Sequence, residues 1–299
     1  MAGVRNQRDA KGVAFLFLSP PTGHQTRPPQ WDGRYRRPPS GYHPTVTPSR
    51  SPTPTRPRDV LLISTAVTLI LYLIPQARYV AYPLLLISTL VHELGHGLTA
   101  LLVGGNFHHL EIWPDGSGAA HWSGRVGAVR QAMVAAGGLV GPAIAAAVGF
   151  AAGRSAKGAQ ILWYALAGGL GLALLLVVRN FFGFVFVALL AALAAVIAAK
   201  ARGDWAQLLL VFFSVQLALS VFSRADYLFT PVAQTARGPL PSDAAQIARV
   251  LIGPYWFWGA LCGAVSLAAL AYGVTVAWRS TAGSSPCDSR SLTPRRPLP

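Results

Sequence analysis

A five-residue polar motif interrupts an otherwise apolar stretch of the chain. The motif, His-Glu-Leu-Gly-His at residues 92–96, lies in the middle of the apolar run from Ala81 to Val103. Residues four positions apart on a helix share a face, so His92 and His96 can both reach one metal ion. Ionisable side chains at membrane depth cost on the order of 2–3 kcal/mol each and mark functional sites. The pattern predicts a metal-binding helix within a membrane span.

The residue types in this motif suit a catalytic zinc site. Zinc in hydrolases has three protein ligands and one open position for water. His92 and His96 are the predicted ligands, and Glu93 is the predicted general base that takes a proton from water. Gly95 removes side-chain bulk beside the metal and allows close approach of another backbone. The alternative interpretations are a polar contact between helices or a cluster that relays protons.

Composition points to a polytopic membrane protein. The chain of 299 residues is 53% hydrophobic and only 12% charged, whereas soluble domains carry roughly 25% charged residues. Ten of its 25 Lys and Arg residues lie in residues 1–58, and four more lie in the tail from Arg279. Basic tails beside membrane spans fit anionic lipid headgroups. We therefore expect the lipid bilayer, and no nucleic acid, as a partner.

Patterning divides the chain into three regions. Residues 1–58 are rich in Pro and Arg and are predicted to be disordered, residues 59–278 to form the membrane domain, and residues 279–299 to form a second disordered basic tail. Apolar stretches predict spans at about 60–74, 81–103, 128–152, 160–178, 181–199, 206–223 and 255–278. The first stretch is short for a crossing. The predicted fold is thus an all-α bundle of six or seven transmembrane helices, multi-pass in the plasma membrane of a bacterium.

Two regions between the spans are more polar. Residues 106–124 contain a Pro-Asp-Gly turn at 114–116 between two strand-like stretches, which predicts a small β-hairpin beside the metal-binding helix. Its histidines, His108, His109 and His121, are either ligands or a gate, or simply polar residues at the membrane interface, and the sequence favours the last. Residues 224–254 are interpreted as a polar loop.

The segment Val-His-Glu-Leu-Gly-His-Gly-Leu-Thr-Ala at residues 91–100 resembles the active-site helix of the site-2 protease family of intramembrane zinc metalloproteases. More narrowly, the chain resembles a bacterial branch of site-2-protease-like membrane peptidases over about residues 60–275. Supporting patterns are Gly104-Gly105, the turn at 114–118, Val-Arg-Asn-Phe-Phe-Gly at 178–183, and Ser242-Asp243-Ala244. The resemblance suggests that Asn180 lies near the site and steadies a substrate backbone; a simple turn between helices is the alternative.

The resemblance also implies a third zinc ligand, an aspartate in a Leu-Asp-Gly element, which this sequence lacks. Asp243 is the preferred candidate because it follows an apolar region and shortly precedes the last span. Alternatively, Ser242 or Asp243 only caps a helix that begins at Ala244. Asp115 is the next candidate, and Asp204 and Asp226 follow.

The resemblance implies a zinc-dependent membrane endopeptidase that cleaves a peptide bond in or near the membrane segment of a partner protein. His92, His96 and Asp243 would hold Zn²⁺, and Glu93 would be catalytic. The missing Leu-Asp-Gly element keeps a second hypothesis open, namely a non-proteolytic scaffold or transport component that retains a metal or proton-relay site.

Overall fold

A bundle of long apolar helices dominates the computed structural model, which describes residues 59, 62–66, 70, 78–125, 127–201, 203–223, 228–235 and 238–279. Six of the described helices are long and apolar enough to cross a membrane. They are α1 (Arg78–Leu102), α2 (Ala128–Ala152), α3 (Ala156–Leu176), α4 (Phe181–Lys200), α5 (Gly203–Ser223) and α7 (Tyr255–Arg279); the short helix α6 (Asp243–Val250) precedes the last. A helix of about 20 residues is roughly 30 Å long, which matches the hydrocarbon core of a bilayer.

The predicted polytopic helical fold is therefore confirmed, with six spans in the described part of the chain. Helices suit this environment because they satisfy every backbone polar group internally where no water is present. The expected first span, 60–74, lies mostly outside the described residues, as do both basic tails.

Helix α2 occupies the centre of the bundle and packs against α1, α5, α6 and α7. Its contact with α1 is close because both helices present glycines there. A Cβ atom at Gly95 of α1 would overlap the carbonyl oxygen of Gly137 of α2, and one at Gly137 would overlap the side chain of Thr99. Small residues permit such close approach of helices in lipid. The helix that carries the histidines is thus held directly against the backbone of α2.

The predicted hairpin after α1 is confirmed as strands β1 (Asn106–Ile112) and β2 (Gly118–Ser123), which pair antiparallel. Its turn is tied to α1: the Thr89 hydroxyl donates to the Gly116 carbonyl at 2.8 Å, and the Tyr82 hydroxyl donates to the Pro114 carbonyl at 2.6 Å. Gly116 has φ of 86°, a conformation that glycine adopts without strain. These contacts fix the hairpin on the helix.

The outer edge of β1 is covered by the connection between α3 and α4. The Leu110 amide donates to the Val177 carbonyl at 2.8 Å, and the Arg179 amide donates to the Leu110 carbonyl at 3.2 Å. Asn180 continues this contact, because its side chain accepts from the Ile112 amide at 3.1 Å and donates to the Ile112 carbonyl at 2.5 Å. Strand β1 therefore has partners along both of its edges, β2 on one side and the connection between α3 and α4 on the other. The outer edge of β2 is its edge on the side away from β1.

The interpretation of residues 224–254 as a loop was too simple. The described part of this region contains a second hairpin, β3 (Val232–Thr235) with β4 (Gly238–Pro241), followed directly by α6. Both strands have only four residues, and Gly238 has φ of 99° at the start of β4. Strands this short carry little alternating pattern, so neighbouring structure rather than sequence periodicity decides their conformation.

Candidate metal centre and active site

Three of the predicted site residues converge in the structure. Asp243 Oδ2 lies 3.0 Å from His92 Nε2 and 3.4 Å from His96 Nε2, and the two Nε2 atoms are 3.2 Å apart. Ligand atoms bound to a tetrahedral zinc at about 2.0–2.1 Å lie roughly 3.3 Å from one another. Two imidazole nitrogens and one carboxylate oxygen at these separations therefore fit a zinc ion.

The histidine rings are oriented by α1 and α2 together. Their spacing on α1 places the rings side by side, with centroids 4.7 Å apart in a T-shaped arrangement. His96 Nδ1 lies 2.8 Å from the Val134 carbonyl oxygen of α2. Because a carbonyl can only accept, this contact places a proton on Nδ1 and leaves the Nε2 lone pair for a metal, as is usual for metal-binding histidines.

Asp243 is presented by the beginning of α6, whose cap is Ser242. The Ser242 hydroxyl accepts from the Ala245 amide at 3.1 Å and donates to the Thr230 carbonyl at 2.6 Å. Ser242 is almost fully buried, so its position is set by packing on both sides. The Ser242-Asp243 pair therefore begins a helix and also lies beside the histidines, so the two interpretations are compatible.

The two carboxylate oxygens of Asp243 have different partners. Oδ1 accepts from the Gln246 side chain at 3.3 Å, and Oδ2 faces the histidines. Burial by itself favours the protonated acid, but the neighbouring His96 and His92 hold the pKa of Asp243 well below its usual range. This lowering favours the ionised carboxylate, which is the form that binds a metal.

His92, His96 and Asp243 are called the triad below. Glu93 lies next to the triad and directly beneath strand β2. It is only 7% exposed, and it lines the same cleft as Ala120 of β2. A Cβ atom at Gly118 would lie 2.7 Å from Glu93 Cγ and 3.0 Å from Glu93 Oε1. Because Gly118 has no side chain, the strand can lie against the carboxylate and orient it.

A cleft of about 370 Å³ opens over the triad and Glu93. Its walls are the outer edge of β2, the beginning of α2, the second hairpin and α6. Among the described residues no strand pairs with this edge of β2. The residues that line the cleft besides the triad and Glu93 include Gly118, Ala119, Ala120, His121, Trp122, Gln131, Val134, Thr235, Leu240, Gln246 and Arg249. The cleft is within the size range of ligand-binding sites.

The other aspartate candidates do not join the described cluster, which consists of His92, His96 and Asp243. Asp115 accepts from the Ser117 amide at 2.9 Å and from its hydroxyl at 2.7 Å, so it stabilises the hairpin turn. The same hydrogen bonds lower the pKa of Asp115. Asp204 lies exposed in the first turn of α5, and Asp226 lies outside the described residues.

The three histidines of the first hairpin have different surroundings. His108 shares a hydrogen bond of 2.6 Å with the Ser123 hydroxyl at the exposed end of the hairpin. His109 and His121 are paired across the strands and stack with ring centroids 4.2 Å apart. Only His121 lines the cleft, where it lies 3.7 Å from a carboxylate oxygen of Glu111. The hairpin is therefore part of the site wall rather than only an interfacial feature.

Two features of the cleft were not predicted from the sequence, the second hairpin and the place of the polar face of α6 in the wall. The helix itself was predicted from its Ser-Asp cap, and α6 begins at Asp243. Gln246 and Arg249 follow Asp243 at three-residue intervals, which places them near one face of a helix. That spacing was the available signal for a polar face beside Asp243. Asn180 does not line the described cleft; it holds the backbone of β1 instead.

Six apolar helices, one of which carries the His-Glu-x-x-His motif, with an aspartate beside the histidines, define a polytopic membrane protein of the metallopeptidase class. The chain belongs to the peptidase M50B-like family, whose model matches residues 62–273. The resemblance to site-2 proteases is thereby confirmed, and the protein is an integral, multi-pass membrane peptidase of that kind. No curated protein and no solved structure matches the chain significantly.

Proposed function

We propose that this protein is a zinc-dependent endopeptidase that cleaves a peptide bond in or near the membrane segment of a partner protein. The observation that carries the proposal is the placement of Asp243 at the two motif histidines, with Glu93 beside them in one cleft. This arrangement supplies the three ligands and the adjacent base that zinc peptidases require.

His92, His96 and Asp243 would hold the metal. When bound, zinc supplies Lewis acidity that polarises a substrate carbonyl and makes water more acidic. Glu93 would accept the proton from water and later deliver it to the leaving amine. The backbone of β2 at Gly118, which lies against the Glu93 side chain, would hold the carboxylate in the cleft. The triad and the base would thus act on the same carbonyl.

The outer edge of β2 is the proposed docking place for the substrate backbone. Extended peptides bind exposed sheet edges through backbone hydrogen bonds, largely independently of side chains. Because this edge passes directly over Glu93, a peptide added to it would present its carbonyl groups to the base and the triad. A transmembrane helix would have to unwind locally to bind in this way, so glycine and other helix-destabilising residues near the cleavage point would favour cleavage.

Two alternatives, a non-proteolytic scaffold and a proton relay, use fewer of these features. Neither role needs three converging ligand atoms at zinc-like separations. Neither needs a cleft in which a strand edge, a carboxylate base and the triad lie together. The complete ligand set therefore supports the peptidase over both.

The Glu93→Gln variant tests the proposal. Glutamine preserves size and leaves the three ligands intact but cannot accept the proton, so we expect full zinc content with cleavage lowered at least about 100-fold. The measurement combines elemental analysis of purified protein with mass spectrometry of products from single-span membrane peptides in proteoliposomes. Glu111→Gln, which alters the other glutamate of the chain, is the matched control and is expected to keep both properties. Undiminished cleavage by Glu93→Gln, or wild-type protein without zinc, would contradict the proposal.

A further inference from the structure

A second cavity, separate from the cleft, lies among helices α1 to α5 at membrane depth. Its volume is about 280 Å³. On α1 it is bounded by Ile87, Leu90, Val91 and Leu94. These positions follow helical spacing and form the face opposite to the one that carries His92 and His96. The cavity therefore lies directly behind the metal-binding helix.

The lining of this cavity is apolar, and its few polar groups have partners elsewhere. The Trp163 indole N–H donates to the Ala206 carbonyl at 2.9 Å, and the Ser214 hydroxyl donates to the Leu210 carbonyl at 2.8 Å. Water in a protein cavity needs two or more polar partners, and cavities lined by aliphatic and aromatic side chains stay dry and bind apolar guests. The chemistry of the lining thus selects a hydrocarbon ligand.

The size of the cavity suits a hydrocarbon chain. A cavity of about 150 Å³ holds benzene, so this cavity of about 280 Å³ has room for a chain of on the order of ten carbon atoms.

The cavity also opens toward the lipid. Three of its lining residues at membrane depth are substantially exposed: Val148 at 49%, Leu166 at 37% and Leu193 at 45%. Val91 and Leu94 of α1, at the inner end, are only partly exposed. The cavity consequently runs from the lipid-facing surface inward to the buried side of α1.

We propose that an acyl chain of a bilayer phospholipid occupies this cavity and packs against the back of the metal-binding helix. The proposal concerns a ligand site distinct from the cleft and does not depend on peptidase activity. The bilayer supplies the ligand in large excess around the open end. A bound chain adds apolar contacts to α1 and stabilises the folded protein by mass action.

The test uses a phosphatidylcholine that carries a diazirine halfway along one acyl chain. Purified full-length protein in lipid nanodiscs containing this probe is irradiated, and labelled peptides are identified by mass spectrometry. We expect label at Val91 and Leu94, which line the cavity on α1 and are partly accessible. Label confined to exposed residues would overturn the proposal.

Two variants and a matched control make the result specific. Ala145→Phe fills the cavity and Leu193→Trp blocks its opening, and both are expected to abolish label at Val91 and Leu94. Ala165→Phe, the same substitution at an exposed position of α3 outside the cavity, is expected to retain it. Size-exclusion profiles identify any variant that fails to fold, and either filling variant alone suffices for the comparison. Equal labelling of a folded filling variant and the control would refute the acyl-chain site.

A third arm identifies a competing occupant. A photoreactive amino acid in place of Leu162, which lines the cavity, is expected to crosslink to phospholipid. A crosslink to residues 60–77 of the same chain, or to another protein, would show that something other than lipid fills the space.

Discussion

At the scale of single residues, the two carboxylate oxygens of Asp243 have different partners. One oxygen accepts from Gln246 within α6, and the other lies 3.0 and 3.4 Å from the two histidine Nε2 atoms. The helix cap beneath it fixes the backbone, so the carboxylate has little freedom to leave the histidines. Preorganisation of this kind makes a ligand effective, because the entropic cost of ordering it is met during folding.

Replacing Asp243 by alanine should remove the proposed third ligand while leaving the Ser242 cap intact. We expect zinc affinity to fall by more than about 100-fold, beyond what loss of an outer-shell partner costs, with little change in helix content. Zinc content after dialysis against graded chelator measures the affinity, and circular dichroism measures the helix content.

Asp115→Ala is the matched control, since Asp115 was the next aspartate candidate and serves the hairpin turn. It should keep its zinc. Retention of zinc by Asp243→Ala, with loss in Asp115→Ala, would reverse the assignment.

At the scale of secondary-structure elements, the contact between α1 and α2 positions His96. Glycines at 137 and 138 of α2 leave the space that the Thr99 and His96 side chains occupy. The Val134 carbonyl, one turn earlier on the same helix, orients the His96 ring. One face of α2 therefore provides both the room and the hydrogen bond for the second histidine.

Gly138→Ala should disturb this arrangement, because a Cβ atom there would overlap the His96 imidazole. Overpacking of this kind costs about 1–3 kcal/mol, and the displaced ring should weaken zinc binding by roughly 10–100-fold. Competition with a fluorescent chelator measures the affinity. Gly169→Ala on α3, where a Cβ meets nothing within 4 Å, is the control and should bind zinc normally. Wild-type affinity in Gly138→Ala would show that α2 can yield without moving the ring.

Asn180 acts between elements, because its amide group satisfies both backbone groups of Ile112. Ile112 is fully buried, so Asn180→Ala leaves a buried amide and carbonyl without these partners, which costs about 1–3 kcal/mol. We expect faster hydrogen exchange across β1 and β2, measured by mass spectrometry. The same substitution at the exposed Asn106 of β1 should leave exchange near the Ile112 end unchanged. Identical exchange in the two variants would contradict this structural role.

At the scale of the whole molecule, all the residues of the proposed site lie within the bundle of helices α1 to α7 and its two hairpins. The family match, at residues 62–273, covers the same part of the chain. The long basic N-terminal region lies outside both, and its composition predicts disorder. Its charge suits contact with anionic lipid headgroups at the membrane surface.

A chain that begins at Pro57 should therefore fold and bind zinc like the full-length protein. Thermal unfolding and zinc content, each measured in the same detergent, are expected to be unchanged. A chain that begins at Arg78 serves as the comparison, because it also lacks the predicted span at 60–74. Loss of zinc from the chain that begins at Pro57 would show that the basic region takes part in the fold.

Much of the fold was predictable from the sequence because the determinants are local. Apolar stretches of sufficient length predict spans, since lipid imposes helices on them. The i, i+4 histidines predict a shared metal-facing side of α1, and Pro-Asp-Gly predicts the turn of the first hairpin. Each of these patterns operates within one element, so no knowledge of neighbouring elements is needed.

Tertiary structure alone brought Asp243, which the sequence favoured as the third ligand, to the two histidines. It also placed the second hairpin against the cleft and gave Asn180 its contact with β1. These features depend on the distance between elements remote in sequence, which local propensity does not encode. The sequence could only rank Asp243 first among a few acids, because it follows an apolar region and shortly precedes the last span. Only the packing of α6 against α2 brings one of them to the histidines, since that contact is set by the shape and volume of the side chains between the helices.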